Sequence, residues 1–384
     1  MFFTKVYSQT NQRIQKLSWR QRIVWIFNIL LYLYSLIAFL AIHIPPTRFW
    51  PVGFITLSIP IILVIHIFLS IYWIWAYSKR AIVSILILII AYPLFERTFV
   101  LHWKETPDST QNTIKVLSYN TQRLNAHDYY EGDKSKPKKI IEWISQSDAD
   151  IKCLQEFHDE DGSKTFNAIS KIATSGNYNY YITPLAQSDG SKGFDGVAIF
   201  TKYPIIHTGD IIFDRRTLNK GIFVDIKVGE DTLRVFSVHL YSMSIRAEKL
   251  GINKEYKEVK SGFKDVFARL RRGFITHSRQ VTILERYIQE SPYPVIVCGD
   301  FNAVPYSFAY QKIRKNLANA FEDAGSGFGF SYNDSKLFFL RIDNQFYSNT
   351  HLGVSDFQTH REIGFSDHFP ISATYKLINP KQKR

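Results

Sequence analysis

Apolar residues follow two regimes along this chain. Over about 23–43, 52–76 and 81–101 they run almost without interruption, whereas beyond residue 113 they alternate with polar residues or recur at helical spacing. Each long run has roughly the twenty residues needed to cross a hydrocarbon core of ~30 Å. Trp19, Trp25, Trp50, Trp73, Trp75 and Trp103 stand mostly near the ends of these runs, where interfacial aromatics belong. The first run is too long for a signal-peptide core and lacks a small-residue cleavage pattern. Residues 1–103 therefore predict an uncleaved N-terminal anchor with about three transmembrane helices. Glu96 and Arg97 fall inside the third run, where they are expected to pair with each other or reach for the interface.

The polar stretch 104–113 contains Pro107, has no periodicity and marks a linker. After it, residues 114–377 alternate between strand and helix patterns, followed by a short basic tail at 378–384. Strands are expected at TIKVLSYNT, IKCLQE, GVAIFTKYPI, KGIFVDIKVG, DTLRVFSVHL, YPVIVCGD, RIDNQFYS and FPISATYKL. Gly229-Glu230-Asp231 forms a hairpin turn. Helices are expected over PKKIIEWISQSDAD, FNAISKIATS, 275–290 and 307–325, the last ending at Gly325. Strict strand–helix alternation is missing, so the pattern predicts an α/β domain with sheets covered by helices rather than a doubly wound nucleotide fold.

The formal charge of +13 suggests a nucleic-acid partner only until it is located. Residues 1–104 hold ten Lys/Arg and one acid, +9, which leaves +4 for the remaining 280 residues. Most of the basicity thus flanks the apolar runs. Five basic residues precede the first run, Arg48 lies in the first loop, and Lys79 and Arg80 lie in the second turn. That bias predicts an integral, multi-pass protein in the lipid bilayer with its C-terminal domain extracytoplasmic. A basic segment at 244–273 carries nine Lys/Arg against four acids. It reads either as a solvated helix or as a surface for phosphate backbones or anionic head groups. Cys153 and Cys298 lie in apolar runs without metal or redox spacing and are expected to be buried thiols. The sequence carries no signal for an oligomeric state.

Candidate chemistry lies at the ends of the strand-like runs: Asn120, Glu156, His239, Asp300, Asn302, Asp343 and the pair Asp367–His368. Strand ends let a sheet gather such groups into one pocket. Oxygen ligands with two histidines suit metal-assisted attack on a phosphate ester, which needs charge neutralisation, an activated water and a protonated leaving group. Carboxylate and amide oxygens favour Mg²⁺ or Mn²⁺ over Zn²⁺. No Gly-x-Ser-x-Gly elbow is present. GSGFG at 325–329 lacks phosphate-loop spacing and reads as a helix cap and loop. Asp343 has a rival role as a partner of Arg341, and the HDED run after Glu156 offers rival carboxylates. His127, His158, His207, His277, His351 and His360 match no motif.

Asn120 after a strand, then LQE, VHL, GDFN, RID and SDHFP in that order, resemble the endonuclease/exonuclease/phosphatase superfamily, the phosphodiesterases related to DNase I. The resemblance covers about 114–377 and extends to membrane-anchored bacterial members. It implies a four-layer α/β sandwich, two packed β-sheets flanked by helices, here preceded by the transmembrane segment. It also implies Asn120, Glu156 and Asp367 as metal ligands and His368 as a base oriented by Asp343. By the same resemblance His239 and Asn302 stabilise phosphoryl oxygens, and Asp300 orients or deprotonates water. Whether Asp300 or the His368–Asp343 pair is the base stays open. The family usually has an aromatic residue or His where this chain has Asn344. The expected activity is a membrane-anchored, metal-dependent, endonuclease-like phosphodiesterase acting on nucleic acid. The alternatives are a phospholipase C- or sphingomyelinase-like enzyme acting on phospholipid head groups, and a catalytically silent tethered binding domain.

Overall fold

The computed structural model describes residues 17–76, 78–103, 113–187, 193–213, 219–243 and 256–378. Nearly all of the linker and the basic tail, and residues 244–255 of the basic segment, lie outside the described residues. The chain divides into two compact units. One comprises residues up to Ala41 with 55–93, and the other 42–54 with everything from Leu94 onward.

In the first unit, Trp19–Ala41 is among the described residues the helix both long and apolar enough to cross a membrane, with mean hydropathy 2.3. The second run is not one helix. It breaks at Ser58 into Val52–Leu57 and Ile59–Trp75, just ahead of Pro60, which cannot donate to the preceding turn. The third run, expected over 81–101, is helical only over Ala81–Ile90 and Tyr92–Phe95, interrupted near Pro93, and then becomes a strand at Phe99–Leu101. Polar residues are buried between the helices of this unit. Asn28 Nδ2 donates to Ser84 Oγ at 3.0 Å, and His66 bonds Ser84 Oγ at 3.1 Å and Ser35 Oγ at 2.9 Å. Large apolar side chains such as Leu30, Leu40, Ile61, Phe68 and Ile89 face outward.

Arg97 belongs to the second unit. It is buried, donating to the Pro305 carbonyl (3.1 Å) and Gln311 Oε1 (2.5 Å), while its own carbonyl accepts from Arg341 (2.6 Å). Neither Glu96 nor a membrane interface holds it, contrary to the expectation from the third run.

The second unit contains two six-stranded sheets. One has the order β13-β14-β2-β3-β5-β4, with β2 at Thr113–Asn120, β3 at Ile151–Glu160, β4 at Asn179–Gln187, β5 at Gly193–Thr201, β13 at Leu352–Thr359 and β14 at Ile371–Leu377. The other has the order β10-β12-β9-β8-β7-β6, with β6 at Ile205–Ile212, β7 at Lys220–Val228, β8 at Asp231–His239, β9 at Val295–Asp300, β10 at Ala318–Asn319 and β12 at Asp343–Tyr347. Each sheet has one parallel pair at its centre, β2 with β3 and β8 with β9. β1, Phe99–Leu101, pairs separately with β11, Ser326–Phe328, so the GSGFG stretch expected to be a loop is partly a strand.

Three apolar cores separate the layers. The inner faces of both sheets meet through Val116, Cys153, Val224, Val235, Ile296 and Tyr375. The outer face of the β8–β9 sheet packs on Val281 and Leu284 of helix Tyr256–Gln289 and on Ile313 of helix Phe308–Arg314. The other sheet packs on Ile140, Ile141 and Ile144 of helix Lys136–Gln146 and on Ile172 of helix Ala168–Ser175. Three cores between four layers make the expected sandwich. Both cysteines are free and buried in its centre.

Two helix expectations change. The helix at 275–290 extends back to Tyr256. The helical pattern over 307–325 splits because Asn319 pairs in β10 and caps a new helix, Ala320–Ala324, by accepting from the Phe321 and Glu322 amides.

Candidate active site

Strand alternation builds the site. Every second side chain of a strand faces the same way, so Val116, Ser118 and Asn120 share the inner face of β2. The same holds for Leu233, Val235, Ser237 and His239 on β8 and for Ile296, Cys298 and Asp300 on β9. The apolar members sit in the inter-sheet core, and the polar member comes at the last inward position. The parallel register sets His239 beside Asp300, and the antiparallel register sets Asp343 beside Asp300. One end of the inter-sheet gap is thereby lined with polar groups.

Glu156 breaks the alternation. Leu154 faces the outer helices, so Glu156 would follow it there. Instead β3 bulges between Leu154 and Phe157, with Glu156 at φ +46°, so Phe157 resumes the outer face. Gln155 keeps the inner direction, donating to Ser237 Oγ of the facing sheet at 2.9 Å. The bulge re-aims Glu156 into the same gap, bringing Oε1 to 3.5 Å from both Asn120 Nδ2 and His239 Nε2.

Asp300 is the hub. Its Oδ2 accepts from Asn120 Nδ2 (3.1 Å) and Asn302 Nδ2 (2.9 Å), with His239 Nε2 and His368 Nε2 each at 3.7 Å. Burial pushes its carboxyl up to about 6, where the nearby His368 works against that rise and Asp343 adds to it. Asn302, at φ +48°, donates its backbone amide to Asp300 Oδ1 (2.8 Å), and its side-chain amide also reaches the Leu240 carbonyl (3.1 Å). Both side-chain donors are thus engaged, and Asn302 holds Asp300 through its backbone and its side chain. His239 differs: both ring nitrogens are buried without a hydrogen-bond partner.

His368 Nδ1 bonds Asp343 Oδ2 at 2.8 Å, both groups being buried. Burial alone would lower the imidazole's pKa, but the carboxylates of Asp343 and Asp300 outweigh it and hold the ring well above its ordinary value. The rival pairing of Asp343 with Arg341 is absent. Arg341 donates to Asn344 Oδ1 (2.5 Å), the Arg97 carbonyl and the Tyr310 hydroxyl. Asn344 therefore points away from the gap, so its departure from the family pattern does not reshape the pocket. Two of the three HDED carboxylates are also engaged elsewhere: Asp159 accepts from the Ile169 amide at a helix start, and Glu160 from Tyr130.

Asp367 stands beside this cluster, its pKa raised first by burial and then by the charge of Glu156, against the pull of His368. Asp300 and Asp367, both raised, crowd with Glu156 into a cluster of carboxylates that a hard divalent cation would relieve; Asn120 turns its amide nitrogen toward Glu156 and Asp300, while its oxygen accepts from the Gln122 amide at 3.0 Å. A second grouping of Asp300, Asp343 and His368 brings one ligand atom of each within 4.8 Å of the others. There Nδ1 of His368 is already committed to Asp343, which suits a proton-holding pair better than a cage.

Sequence reasoning missed the groups that hold these residues. Gln122, Arg123, Leu124 and Asn125 all adopt left-handed φ between 50° and 54°. Such runs are costly for L-residues and persist where surrounding contacts enforce them. Here Gln122 Oε1 accepts from the Asp367 amide (3.0 Å), and Asn125 Nδ2 donates to the Phe365 carbonyl (2.5 Å). Ser366 Oγ donates to the Asn120 carbonyl (2.8 Å). Tyr332 packs edge-on against the His368 ring. The one legible signal was adjacency, since QRLN directly follows SYNT.

The geometry can be set beside known proteins. Over 352 residues the chain is 25% identical to the CCR4-Not complex 3'-5'-exoribonuclease subunit Ccr4 of Candida albicans, a match covering 73% of this chain and 43% of that protein. The chain thus spans less than half the length of this curated relative. The solved endonuclease/exonuclease/phosphatase of Bacteroides vulgatus superposes with a TM-score of 0.51 at 15% identity, covering 70% of this chain and all of that one. A functionally unknown conserved protein from Enterococcus faecalis V583 matches equally, at TM-score 0.51 and 16% identity, with 69% and 100% covered. At such identities these structures establish the fold. Residues 21–98 match a domain of unknown function (DUF8431). The family model that spans residues 117–368, from β2 through His368, is the Endonuclease/Exonuclease/phosphatase family; this chain belongs to it.

Proposed function

We propose that this protein is a membrane-anchored, divalent-metal-dependent phosphodiesterase cleaving nucleic-acid backbones. The observation that carries this reading is the convergence of Asn120, Glu156, His239, Asp300 and His368 on one end of the inter-sheet gap, with His368 held by Asp343 at 2.8 Å. Asn120, Glu156 and Asp367 would hold Mg²⁺ or Mn²⁺, which when bound neutralises charge on the phosphoryl group. Asp343 keeps the Nδ1 proton of His368 in place and leaves Nε2 facing Asp300. A buried carboxyl near 6 is poised to take a proton from water at neutral pH. His239, whose ring nitrogens make no hydrogen bond, offers its ring to a phosphoryl oxygen. The 25% identity to an exoribonuclease subunit supports a nucleic-acid substrate.

Anchoring is supported by the inverted polarity of the first unit. Its helices bury Asn28, Ser35, His66 and Ser84 and expose Ile, Leu and Phe. In water the expected arrangement is the reverse, whereas helices in lipid join through small and polar residues. Multi-pass insertion with the catalytic domain outside is the arrangement that the Lys/Arg bias of the flanks favours, with the shorter apolar helices Ile59–Trp75 and Ala81–Ile90 as the further spans. A phospholipid head group is the second reading, favoured by that apolar exterior.

The test uses the full chain in nanodiscs, presented with RNA, plasmid DNA and phospholipid vesicles, each with Mg²⁺ or EDTA. We expect nucleic-acid cleavage that EDTA abolishes and that is lost in His368→Ala. Head-group release with intact nucleic acid would transfer the assignment to lipid. Turnover unaffected by EDTA would overturn the metal dependence, and no turnover on any substrate would favour a silent domain.

A further inference from the structure

The chain leaves the apolar helix Trp19–Ala41 at Ile42 and enters the catalytic unit directly, and residues 42–54 are packed as part of that unit. They lie along helix Tyr256–Gln289. Thr47 Oγ1 meets Ser278 Oγ at 3.4 Å, the Phe54 ring stacks on Phe267 at 4.5 Å, and Trp50 meets Phe267 edge-on at 5.7 Å. Arg271 caps the Trp50 ring at 4.9 Å. Gly53 is required at this contact, because a Cβ there would fall 2.1 Å from the buried Phe274 ring.

Aromatic residues continue past the packed cluster. Phe263 lies one turn before Phe267 on the same helix face and is 58% exposed; Phe49 is 52% exposed. Around them, residues 261–279 carry Lys264, Arg269, Arg271, Arg272 and Arg279 against Asp265 alone, and 42–54 add Arg48. Arg269 is paired with Asp265 at 3.0 Å, whereas Lys264, Arg271 and Arg272 are exposed. Exposed Phe with Trp at the boundary, ringed by cations, is the composition of a surface that lies in the head-group layer of an anionic bilayer.

We infer that this face, formed by 42–54 and the helix from Phe263 to Arg272, docks on an anionic lipid surface. The inference rests on the anchored reading above, because chain continuity is what brings Ile42 to the membrane boundary. The middle of the same helix grips Tyr241, two residues past the end of the strand that supplies His239. His277 Nε2 bonds the Tyr241 carbonyl at 2.7 Å, and Gln280 Oε1 accepts from the Tyr241 amide at 2.9 Å. A lipid-docked helix would therefore hold the catalytic gap in a fixed pose at the bilayer surface, instead of letting it swing on its anchor.

The two native cysteines are buried, so single added cysteines can be spin-labelled in the full chain. Phe263→Cys, Phe49→Cys, Leu30→Cys in the apolar helix and Tyr180→Cys on the opposite sheet would be placed in nanodiscs of mixed phosphatidylcholine and phosphatidylglycerol. Collisions with oxygen and with a water-soluble nickel complex would then be compared. We expect Phe263 and Phe49 to favour oxygen, as Leu30 does, and Tyr180 to favour nickel. We also expect the oxygen preference at Phe263 to weaken in phosphatidylcholine alone. Nickel-favouring values at both Phe263 and Phe49, with Leu30 immersed, would overturn the docking but not the anchor. Protection from both agents would overturn it in favour of a protein partner. A water-like Leu30 would overturn the anchored reading itself.

Discussion

Substitution of Asp343 by Asn separates orientation from charge in the His368 pair. The carboxylate oxygen lies 2.8 Å from His368 Nδ1 in a buried setting. An Asn of nearly the same shape can turn its amide oxygen to the same Nδ1–H, so the fold and ring pose are expected to survive. What disappears is the negative charge that outweighs burial and raises the imidazole pKa. A charge-assisted hydrogen bond is worth about 1.5–3 kcal/mol. Positioned acid–base groups contribute about 10²–10⁴-fold in rate, equivalent to about 2.7–5.4 kcal/mol. We therefore expect kcat/KM on bis-p-nitrophenyl phosphate to fall by about 10²–10⁴-fold in His368→Ala and by a smaller factor in Asp343→Asn. Thermal unfolding should change by little. Because the two residues act as one unit, the double variant should be no slower than His368→Ala alone. A double variant whose loss equals the product of the single losses would refute the pairing. Full activity in Asp343→Asn would show that charge at this position is irrelevant.

Other predictions follow from particular contacts. Gly299 has φ +144°, and a Cβ there would meet the Val238 carbonyl oxygen at 2.0 Å, so Gly299→Ala should destabilise the domain by ~3 kcal/mol or more, measured by chemical denaturation. Burial lowers the His277 pKa from 6.5 to about 4, so between those values the unfolded chain takes up a proton that the folded chain refuses. Stability should fall by roughly 3 kcal/mol as pH drops through that window. His277→Gln should flatten that acid limb, whereas an unchanged limb would assign it to other groups. Asn125→Ala removes the bond to Phe365 and leaves a left-handed position without the residue that tolerates it, so metal affinity by calorimetry should weaken while the fold persists. Gln122→Ala, which frees the Asp367 amide, should do the same to a lesser degree.

Strand periodicity made much of this site readable. Once 114–120, 231–239 and 295–300 are strands, alternation alone places Asn120, His239 and Asp300 on the faces that carry Val116, Val235 and Ile296, because those apolar residues must enter a core. Helices covering the sheets were legible for a related reason, since helices such as Lys136–Gln146 carry one apolar stripe and each sheet needs an outer cover, whereas the four-layer arrangement was implied by the family resemblance. Glu156 was named from its motif, yet alternation would have sent it to the wrong face, and only the bulge at Leu154–Phe157 brings it to Asn120. Tertiary contacts likewise decided the partners of Asn302, whose amide donors reach Asp300 and the Leu240 carbonyl, and the outward direction of Asn344 beneath Arg341. The third apolar run read as continuing to residue 101 because hydropathy sums over a window and cannot register that Arg97 makes four hydrogen bonds with Pro305, Gln311 and Arg341, more than 200 residues away. Local pattern determines which face of an element is apolar; which element lies opposite, and so which polar groups meet, is settled by packing between segments distant in sequence.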